Sequence, residues 1–532
     1  MPSTRPAWRR AEVAGAAALA ALVALAALIG ATWWPALGAG FQFDDFNVIV
    51  ADARVQSLAA WWQALPGIRP LLKLSYALNH AAGAGPRGFR LVNVAIHAAN
   101  ACLVATLLWR RARRHGLAAG TAMLATALAT LVFALHPVQT EAVTYVSGRS
   151  VSLAALPCLL ALACWLRAVD AGSAQVPRRR AARAWRGGAL LAFAAALGVR
   201  ETAVVLPLAL LLWSATEPEA SQARARGALP PLSPPPPLPP PARPDWRGLA
   251  PLFALALLAL AVACLWPAYR RLLDTSLAIR PVGVNLMTQA HALGYLALQL
   301  LRPWGMNADP ALPVTARLDL ATALLGLAWL LLAAGGFAAR RRHPALAFGL
   351  LWFLVWLAPT NSLLPRYDVA NDRQLYLALV GPAWLLGCGL AAGGRRLALR
   401  APASAVAAVA RGGALLLPAA LAAVLTTATL QRNRVYADEI TFWEDVAART
   451  PGNARAANNL GMAYAYACRD ADAAAQFERA VRLQPAYHRA RINLRLLRAG
   501  ALFPDADAAG GVRADLPPRH CVWKATGGLP ML

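Results

Sequence analysis

The chain has 532 residues, of which 58% are hydrophobic and 14% are charged. Soluble domains carry roughly 25% charged residues, so this composition excludes an ordinary soluble protein and favours a membrane protein. The net charge of +27 does not indicate nucleic-acid binding, because the arginines cluster in short loops between apolar runs, as in cytoplasmic loops of membrane proteins. Most of the seven cysteines lie inside apolar runs, which argues against a disulfide framework or a metal site.

Apolar segments recur along the chain and predict membrane-spanning helices, which need about 20 residues. The first segment follows Arg5, Arg9 and Arg10 and exceeds the apolar region of a typical signal peptide, so we expect an uncleaved anchor with a cytoplasmic N-terminus. All arginine clusters then lie inside, provided that residues 288–302 lie in the outer interface and do not cross. The predicted spans are residues 13–33, 89–109, 117–135, 150–169, 187–199, 202–214, 249–267, 319–338, 345–358, 375–393 and 412–430.

This pattern predicts an all-α membrane domain of about eleven spans over residues 1–430, interrupted by a proline-rich cytoplasmic linker at 217–248. Residues 431–503 contain one tetratricopeptide repeat with the 34-residue period of that motif, and 504–532 are expected to be a loosely ordered tail. The repeat is indicated by Leu460-Gly461, Tyr464, Ala473, Phe477, Ala480 and Pro485. One repeat is fewer than the roughly three that a free-standing array needs, so we expect it to pack on the membrane domain or a partner.

Two adjacent carboxylates, Asp44 and Asp45, follow the first predicted span by about ten residues. A carboxylate here could take the proton of an acceptor hydroxyl in a transfer reaction. Two alternatives remain open from the residues alone: the pair could cap a helix or lie in a solvated loop, or it could hold a divalent cation, which prefers such oxygens.

Cationic residues in other predicted outer loops are candidates for binding a phosphate. Arg69 and Lys73 either grip a phosphate or extend to lipid headgroups. Arg200 and Glu201 lie between two short apolar runs and could instead form an internal ion pair. Arg373 lies at the mouth of a helix in the last outer loop.

The loop from His136 to Arg149 is unusually polar for a turn between two spans. His136 could donate a hydrogen bond to a sugar or phosphate, although His136 before Pro137 is also typical of a helix end. Glu141 could contact a hydroxyl, and Arg149 could clamp a phosphate.

Together these motifs resemble the transmembrane-and-tetratricopeptide O-mannosyltransferases and their bacterial relatives, within the glycosyltransferase-C superfamily. The similarity is carried by Phe43-Asp44-Asp45, Arg69-Pro70-Leu71, residues 89–93 with His97 and Asn100, the 136–149 loop, Arg200-Glu201-Thr202, Pro359-Thr360-Asn361 and the repeat. The sequence departs from the family's usual late-loop pattern at Asp372-Arg373-Gln374-Leu375-Tyr376, where one aromatic residue is missing.

The resemblance implies an inverting transfer of a sugar, expected to be mannose, from a polyprenyl phosphate to a Ser or Thr hydroxyl of a protein. Asp44 would be the base and Asp45 would position the acceptor or base, with no cofactor required and a divalent cation as the alternative. The implied donor-binding residues are Arg69, Lys73, His136, Glu141, Arg149, Arg200, Glu201 and Arg373.

The implied location is a bacterial inner membrane, with the site and the repeat on the periplasmic side. The expected partners are membrane lipid, the lipid-linked sugar and an acceptor protein bound through the repeat, but no nucleic acid. Two alternatives are a transferase of the same fold acting on a lipid or glycan, and a non-enzymatic membrane scaffold that presents the repeat.

Overall fold

The computed structural model describes the backbone of residues 7–172, 178–217, 245–400 and 403–502, and it describes side chains within 15–172, 178–217, 245–397 and 416–502. Every regular element in these ranges is helical, which agrees with the predicted all-α class. The predicted tail and nearly all of the predicted proline-rich linker lie outside the described residues.

Within the described ranges, the first half of the chain contains nine α-helices. They are α1 (Ala7–Trp33), α2 (Leu58–Gln63), α3 (Pro70–Ala81), α4 (Pro86–Arg114), α5 (Ala119–Leu135), α6 (Thr140–Val143), α7 (Arg149–Gly172), α8 (Arg179–Val199) and α9 (Leu206–Ala215). Short helical turns occupy the loops that the sequence predicts to be outer, which are called the outer loops below, at Trp34–Gly38, Phe46–Val50, Ala53–Val55, Pro137–Gln139, Val146–Gly148 and Glu201–Val205.

The second half contributes twelve more helices within the described ranges. They are α10 (Trp246–Leu265), α11 (Pro267–Ile279), α12 (Val282–Gln299), α13 (Leu320–Ala339), α14 (Pro344–Leu357), α15 (Leu375–Ala378), α16 (Val380–Arg400), α17 (Ala403–Val435), α18 (Glu439–Arg449), α19 (Ala454–Tyr466), α20 (Asp470–Leu483) and α21 (His488–Arg498). A further short turn, Asp372–Gln374, precedes α15.

Five described helical segments are long and apolar enough to cross a membrane, and the number rises to seven if two bent pairs each count as one span. The five segments are Gly15–Gly38, Pro86–Arg114, Val146–Gly172, Trp246–Leu265 and Leu320–Ala339. The expected eleven spans are therefore not confirmed. Helices α9 and α14 have only 10 and 14 residues, and α12 is not among the candidates.

The central packing is made by the Ala- and Leu-rich helices α4, α5, α7 and α16. Glycines let these helices approach closely, as small residues do between membrane helices. A Cβ built on Gly387 of α16 would lie 2.4 Å from the carbonyl oxygen of Ala125 in α5, and one on Gly381 would lie 2.6 Å from that of Gly349 in α14. These contacts fix α16 against its neighbours and so set the position of the loop before it.

The C-terminal helices α18 to α21 have a separate apolar core that includes Trp443, Leu460 and Phe477. Helices α19 and α20 form a hairpin in which Gly461 allows the Phe477 ring to lie close, since a Cβ at Gly461 would approach that ring to 2.7 Å. This close approach is the contact expected from the repeat pattern, whereas the assignment as a tetratricopeptide repeat stays a prediction.

The outer loops converge at one end of the helix bundle, and α18 and α19 lie against them. The Gln42 side chain contacts the Tyr436 carbonyl, just after the end of α17. Arg455 of α19 contacts Asp309 in the loop before α13 and Asp368 in the loop after α14. The C-terminal helices therefore form one wall of the space between the loops.

Candidate functional site

A narrow cleft opens where the outer loops meet the C-terminal helices, with a cavity volume of about 40 Å³. Its walls come from five parts of the chain that are distant in sequence, one of which contains Ala308 and Asp309. The residues that matter for its chemistry are Gln42, Phe43, Glu141, Tyr145, Asp368, Asn371, Arg373, Tyr436, Trp443 and Arg455.

Asp44 and Asp45 lie beside this cleft in a tight turn whose geometry separates the two carboxylates. Phe43 has a φ of +47°, a left-handed conformation that side chains larger than glycine rarely adopt and that clusters at functional sites. Asp45 is fully buried, whereas Asp44 is half-buried. The turn thus directs one acid into the protein and leaves the other at the edge of the cleft.

The Asp45 carboxylate organises the backbone around it. Its two oxygens accept hydrogen bonds from the Ser147 N–H at 2.8 Å and from the Gln42 N–H at 3.1 Å. Burial raises its pKa to about 6, and the nearby Arg90 guanidinium acts in the opposite direction. With both oxygens occupied by backbone donors, Asp45 serves as a structural link between the first and second outer loops.

Asp44 has a different environment. Burial raises its pKa, while the positive charge of Arg373 and a hydrogen bond with the Tyr145 hydroxyl lower it. The Tyr145 hydroxyl also accepts the Asp44 backbone N–H at 3.0 Å. A half-buried carboxylate with a raised pKa near an arginine, Arg373, is suited to act as a general base.

The turn is held from the opposite side by the C-terminal helices. Glu439, the first residue of α18, accepts the Phe43 N–H at 2.8 Å, and the Gln42 side chain donates to the Tyr436 carbonyl at 2.7 Å. The Phe43 ring packs edge-on against Trp443 with 5.4 Å between centroids. These contacts span nearly 400 residues of sequence.

Four arginines from three loops lie within electrostatic reach of one another: Arg69, Arg200, Arg366 and Arg373. Burial lowers the pKa of Arg200, and the positive charges of Arg69, Arg366 and Arg373 lower it further. Burial also lowers the pKa of Arg366 to about 10, again with Arg373 acting in the same direction. Such crowding of like charges is unfavourable unless an anion joins it.

The ion pairs around these arginines leave two of them without an acidic partner. Arg69 binds Glu201 through two hydrogen bonds of 2.9 Å, and Arg373 pairs with Glu141 at 3.5 Å. Arg200 donates to the Ser150 hydroxyl at 2.6 Å. Within the described ranges, neither Arg200 nor Arg366 forms an ion pair with a carboxylate. Glu201 therefore pairs with Arg69, and the alternative ion pair between Arg200 and Glu201 is not formed.

An apolar pocket of about 600 Å³ adjoins Arg69 and is lined by Trp62, Leu65, Pro66, Gly67, Pro70, Val262, Trp266 and Tyr269. The Arg69 N–H donates to the Tyr269 hydroxyl at 3.4 Å, which links the pocket to the arginine cluster. The arrangement combines a positive site with a neighbouring apolar one.

Lys73 and Glu141, both predicted to be donor-binding, have protein partners. Lys73 pairs with Asp52 at 3.3 Å, away from the cleft lining. Glu141 lines the cleft and accepts the Arg373 N–H at 3.0 Å. Glu141 is thus positioned to orient Arg373, while Lys73 is positioned to support the first outer loop.

His136 and Arg149 do not reach the cleft, so their placement does not support the predicted contacts with a donor. His136 is buried, accepts the Val138 N–H through Nδ1 and lies 3.3 Å from the Leu300 carbonyl. Arg149 is fully buried, and its guanidinium donates to Asn93, Asn79, Ser75 and the Phe89 carbonyl. Both side chains hold helices together because every polar atom that they bury needs a partner.

The structure brings in residues that sequence reasoning did not select. Arg366, Asn371 and Tyr145 lie in loops already recognised as polar, but nothing in their spacing separated them from loop residues with no role. Trp443 and Arg455 belong to a segment that the sequence assigned to a separate repeat region. Their presence in the cleft follows from a long-range contact that no local pattern encodes.

No group of three or more His, Cys, Asp or Glu side chains in the described part of the chain is arranged to hold a metal ion. The alternative that the two aspartates hold a divalent cation gains no support from this geometry, since both oxygens of Asp45 accept backbone N–H groups.

Comparison with known proteins gives one consistent set of relatives. No protein-family profile and no solved structure matches the chain. Protein O-mannosyl-transferase Tmtc2 of Drosophila melanogaster is 37% identical over 195 residues, which cover 33% of this chain and 20% of the relative. Protein O-mannosyl-transferase TMTC1 of Mus musculus is 40% identical over 112 residues, covering 20% of this chain and 11% of the relative.

A longer match extends through most of the chain. Protein O-mannosyl-transferase Tmtc3 of Drosophila melanogaster is 27% identical over 527 residues, which cover 86% of this chain and 54% of the relative. The chain therefore spans about half the length of this relative and a smaller share of the others. Together with the apolar helices, these matches indicate an integral membrane protein, and the chain is related in sequence to the transmembrane-and-tetratricopeptide O-mannosyltransferase-like family.

Proposed function

We propose that the protein is an integral membrane glycosyltransferase that moves a sugar from a polyprenyl phosphate to a hydroxyl of an acceptor protein. The observation that carries this proposal is the half-buried carboxylate of Asp44 at the edge of the cleft, within electrostatic reach of Arg373, which in turn belongs to the cluster with Arg69, Arg200 and Arg366. A base and an anion-binding site at one cleft are the two elements that such a transfer needs.

In the proposed reaction Asp44 takes the proton of a Ser or Thr hydroxyl. The hydroxyl oxygen forms a bond to the anomeric carbon of the sugar while the bond from that carbon to the phosphate oxygen breaks. The configuration at the carbon inverts, and polyprenyl phosphate leaves. Arg366 and Arg373 stabilise the negative charge on the leaving phosphate, because guanidinium groups bind phosphate oxygens with strong charge-assisted hydrogen bonds. This charge stabilisation comes from the protein, so we expect no need for a divalent cation.

The apolar pocket beside Arg69 supports a lipid-linked donor over a water-soluble one. A nucleotide sugar would meet the arginines but would leave about 600 Å³ of apolar space without a matching group. A prenyl chain would bury that surface, at a gain of about 25 cal/mol for each Å² of apolar area. The relatives are named O-mannosyl-transferases, which supports mannose as the sugar and a protein as the acceptor.

We extend the proposal to topology. The site would lie on the non-cytoplasmic face, because the arginine clusters in loops opposite the site favour the cytoplasm. In a bacterium this face is the periplasmic side of the inner membrane. The membrane domain would belong to the glycosyltransferase-C superfamily, and α19 with α20 would form a tetratricopeptide repeat that packs on it and contacts the acceptor.

The test is transfer of label from radioactive polyprenyl-phosphate mannose to a Ser- and Thr-containing acceptor by the purified full chain. Asp44→Asn removes the base with almost no change in shape, so we expect a loss of at least about 100-fold in kcat with unchanged abundance and Tm. Retained transfer by Asp44→Asn would exclude Asp44 as the base.

A second arm separates the enzyme from the alternatives. If the native chain transfers no mannose, the same assay with glucose- and other sugar-bearing polyprenyl phosphates tests the donor, and lipid or glycan acceptors test the acceptor. No transfer in any combination by a folded native chain would reject the enzyme and favour the scaffold.

A further inference from the structure

Two amide side chains in the cleft bury polar atoms that have no partner in the described part of the protein. Gln42 is 2% exposed, and its Nε2 donates to the Tyr436 carbonyl, but its Oε1 has no hydrogen-bond partner. Asn371 is 3% exposed, and neither its Oδ1 nor its Nδ2 has one. Buried polar atoms are nearly always paired, so two such side chains lining the same cleft indicate a site for a polar ligand.

The positions of these amides relate them to the proposed chemistry. Gln42 lies two residues before Asp44 in the turn beside the cleft, and Asn371 lies two residues before Arg373. The charge of Arg373 acts on Asp44. The two amides therefore belong to the same loops as Asp44 and Arg373. A donor with its sugar near Asp44 and its phosphate near Arg373 would lie next to both amides.

The chemistry of the cleft wall selects the ligand class. Asn371 offers one acceptor and a donor group, and Gln42 offers an acceptor, which matches hydroxyl groups because each hydroxyl both donates and accepts. A site for an anion would instead be made of hydrogen-bond donors alone. Trp443 and Tyr436 line the same cleft, and an aromatic face beside polar groups suits a ring with an apolar C–H surface and a polar edge.

We propose that Gln42 and Asn371 form the sugar subsite of the cleft and that Asn371 determines specificity by hydrogen bonding to hydroxyls of the transferred sugar. This inference rests on the proposed glycosyl transfer and deepens it, because it assigns the sugar and the phosphate to separate groups. The arginines bind the phosphate of either a sugar-bearing or a sugar-free lipid, whereas Asn371 recognises only the former.

The test compares equilibrium binding of polyprenyl-phosphate mannose and of polyprenyl phosphate to the detergent-purified full chain. Asn371→Ala should weaken binding of the sugar-bearing lipid by roughly three- to tenfold, the effect of one or two hydrogen bonds. Binding of the sugar-free lipid should stay unchanged. The Tm of the variant should equal or exceed that of the native chain, because the substitution removes unpaired buried polar atoms. Asn371→Ser, which keeps one hydroxyl, should have an intermediate affinity for the sugar-bearing lipid.

Asn459→Ala, on α19 and outside the cleft lining, is the matched control and should bind both lipids normally. Equal weakening of both lipids by Asn371→Ala, a lowered Tm, or no change in either affinity would overturn the sugar subsite. If the native chain binds both lipids equally, the subsite is wrong while the phosphate site stands. If the native chain binds neither lipid, the proposed donor itself is wrong.

Discussion

Two neighbouring acids in one sequence motif have different surroundings, and this difference is decided at the level of single residues. Asp45 is enclosed and directs both carboxylate oxygens to backbone N–H groups, whereas Asp44 stays half-buried beside Tyr145 and within reach of Arg373. The division assigns them separate tasks, with Asp45 maintaining the loop geometry and Asp44 available for proton transfer.

The hydroxyl of Tyr145 should tune the proposed base. Asp44 must be ionised to take a proton, so activity is lost as pH falls through its pKa. Burial raises that pKa and the Tyr145 hydrogen bond lowers it. In Tyr145→Phe the acidic limb of the kcat/KM profile should therefore move to higher pH. Tyr367→Phe, at a 78% exposed position, should leave the profile in place. An acidic limb that stays or moves lower in Tyr145→Phe would contradict the assignment.

The same substitution should have different effects at two arginines, weakening lipid binding at Arg366 and lowering stability at Arg149. Arg366→Gln should raise the Kd for polyprenyl phosphate by roughly tenfold or more, the value of a charge-assisted hydrogen bond, with little change in Tm. Arg149→Gln should instead lower stability by about 3 kcal/mol, because it leaves buried partners without donors. Both variants are compared in lipid binding and in thermal unfolding. Weaker lipid binding in Arg149→Gln together with a lower Tm in Arg366→Gln would show that the two roles are exchanged.

At the scale of elements, helix α18 supports a turn that is almost 400 residues away in sequence. The Glu439 side chain accepts the N–H of Phe43, whose left-handed backbone is unfavourable for a residue with a side chain. Burial raises the pKa of Glu439 to about 7, so a neutral group of the same shape is compatible with this position. The start of α18 is thus part of the candidate site and not only of the C-terminal core.

A matched pair of substitutions separates hydrogen bonding from charge at this helix start. Glu439→Gln keeps an acceptor of the same reach, whereas Glu439→Asp keeps the charge on a side chain that is one methylene shorter. We expect amide exchange of residues 41–47 to accelerate in Glu439→Asp and to stay near native in Glu439→Gln, as measured by mass spectrometry. Glu478→Gln, on the surface of α20, should change nothing. Faster exchange in Glu439→Gln but not in Glu439→Asp would indicate that the charge of this side chain, and not its length, holds the turn.

For the whole molecule, a partly buried ionic network adds to the contacts between the C-terminal helices and the membrane domain. Arg455 of α19 binds Asp309 through hydrogen bonds of 2.8 and 2.5 Å, and it also donates to Asp368 at 2.7 Å. The two acids lie in different outer loops. One arginine therefore connects both loops to the wall of the cleft.

A double-mutant cycle tests this connection. Arg455→Gln and Asp309→Asn should show a coupling free energy of about 1–3 kcal/mol in thermal unfolding, since paired groups in one network do not act additively. The same cycle for Arg469 and Asp472, an exposed pair three residues apart, should give less than about 0.5 kcal/mol. Additive effects at Arg455 and Asp309 would mean that other contacts hold the C-terminal helices in place.

The local sequence pattern was sufficient for several features. Apolar runs with arginine-rich flanks predicted a helical membrane domain, and the Gly461 and Phe477 spacing predicted the close helix pair α19–α20. The motifs around Asp44, Arg69, Glu141 and Arg373 identified loops that do meet. These features depend on near neighbours in the chain, which is why pattern alone reveals them.

The predicted eleven spans are not confirmed, because apolar composition does not distinguish a crossing helix from the short helices α9 and α14 or from a bent pair. Roles of single polar residues in the 136–149 loop also could not be assigned, since burial decides whether Arg149 faces a ligand or the interior. A sequence lists polar residues but not the side of a helix on which their partners lie.

The sequence by itself determined a membrane-embedded all-α protein with polar outer loops, an acidic pair and a C-terminal helical region. Only the tertiary structure decided that Asp44 and Asp45 separate, that Arg200 and Arg366 form no ion pair with the described carboxylates, and that Trp443 and Asn371 share one cleft. Hydropathy and helix periodicity act over a few residues. The cleft arises from contacts between segments up to 400 residues apart, whose geometry depends on how all the helices pack together.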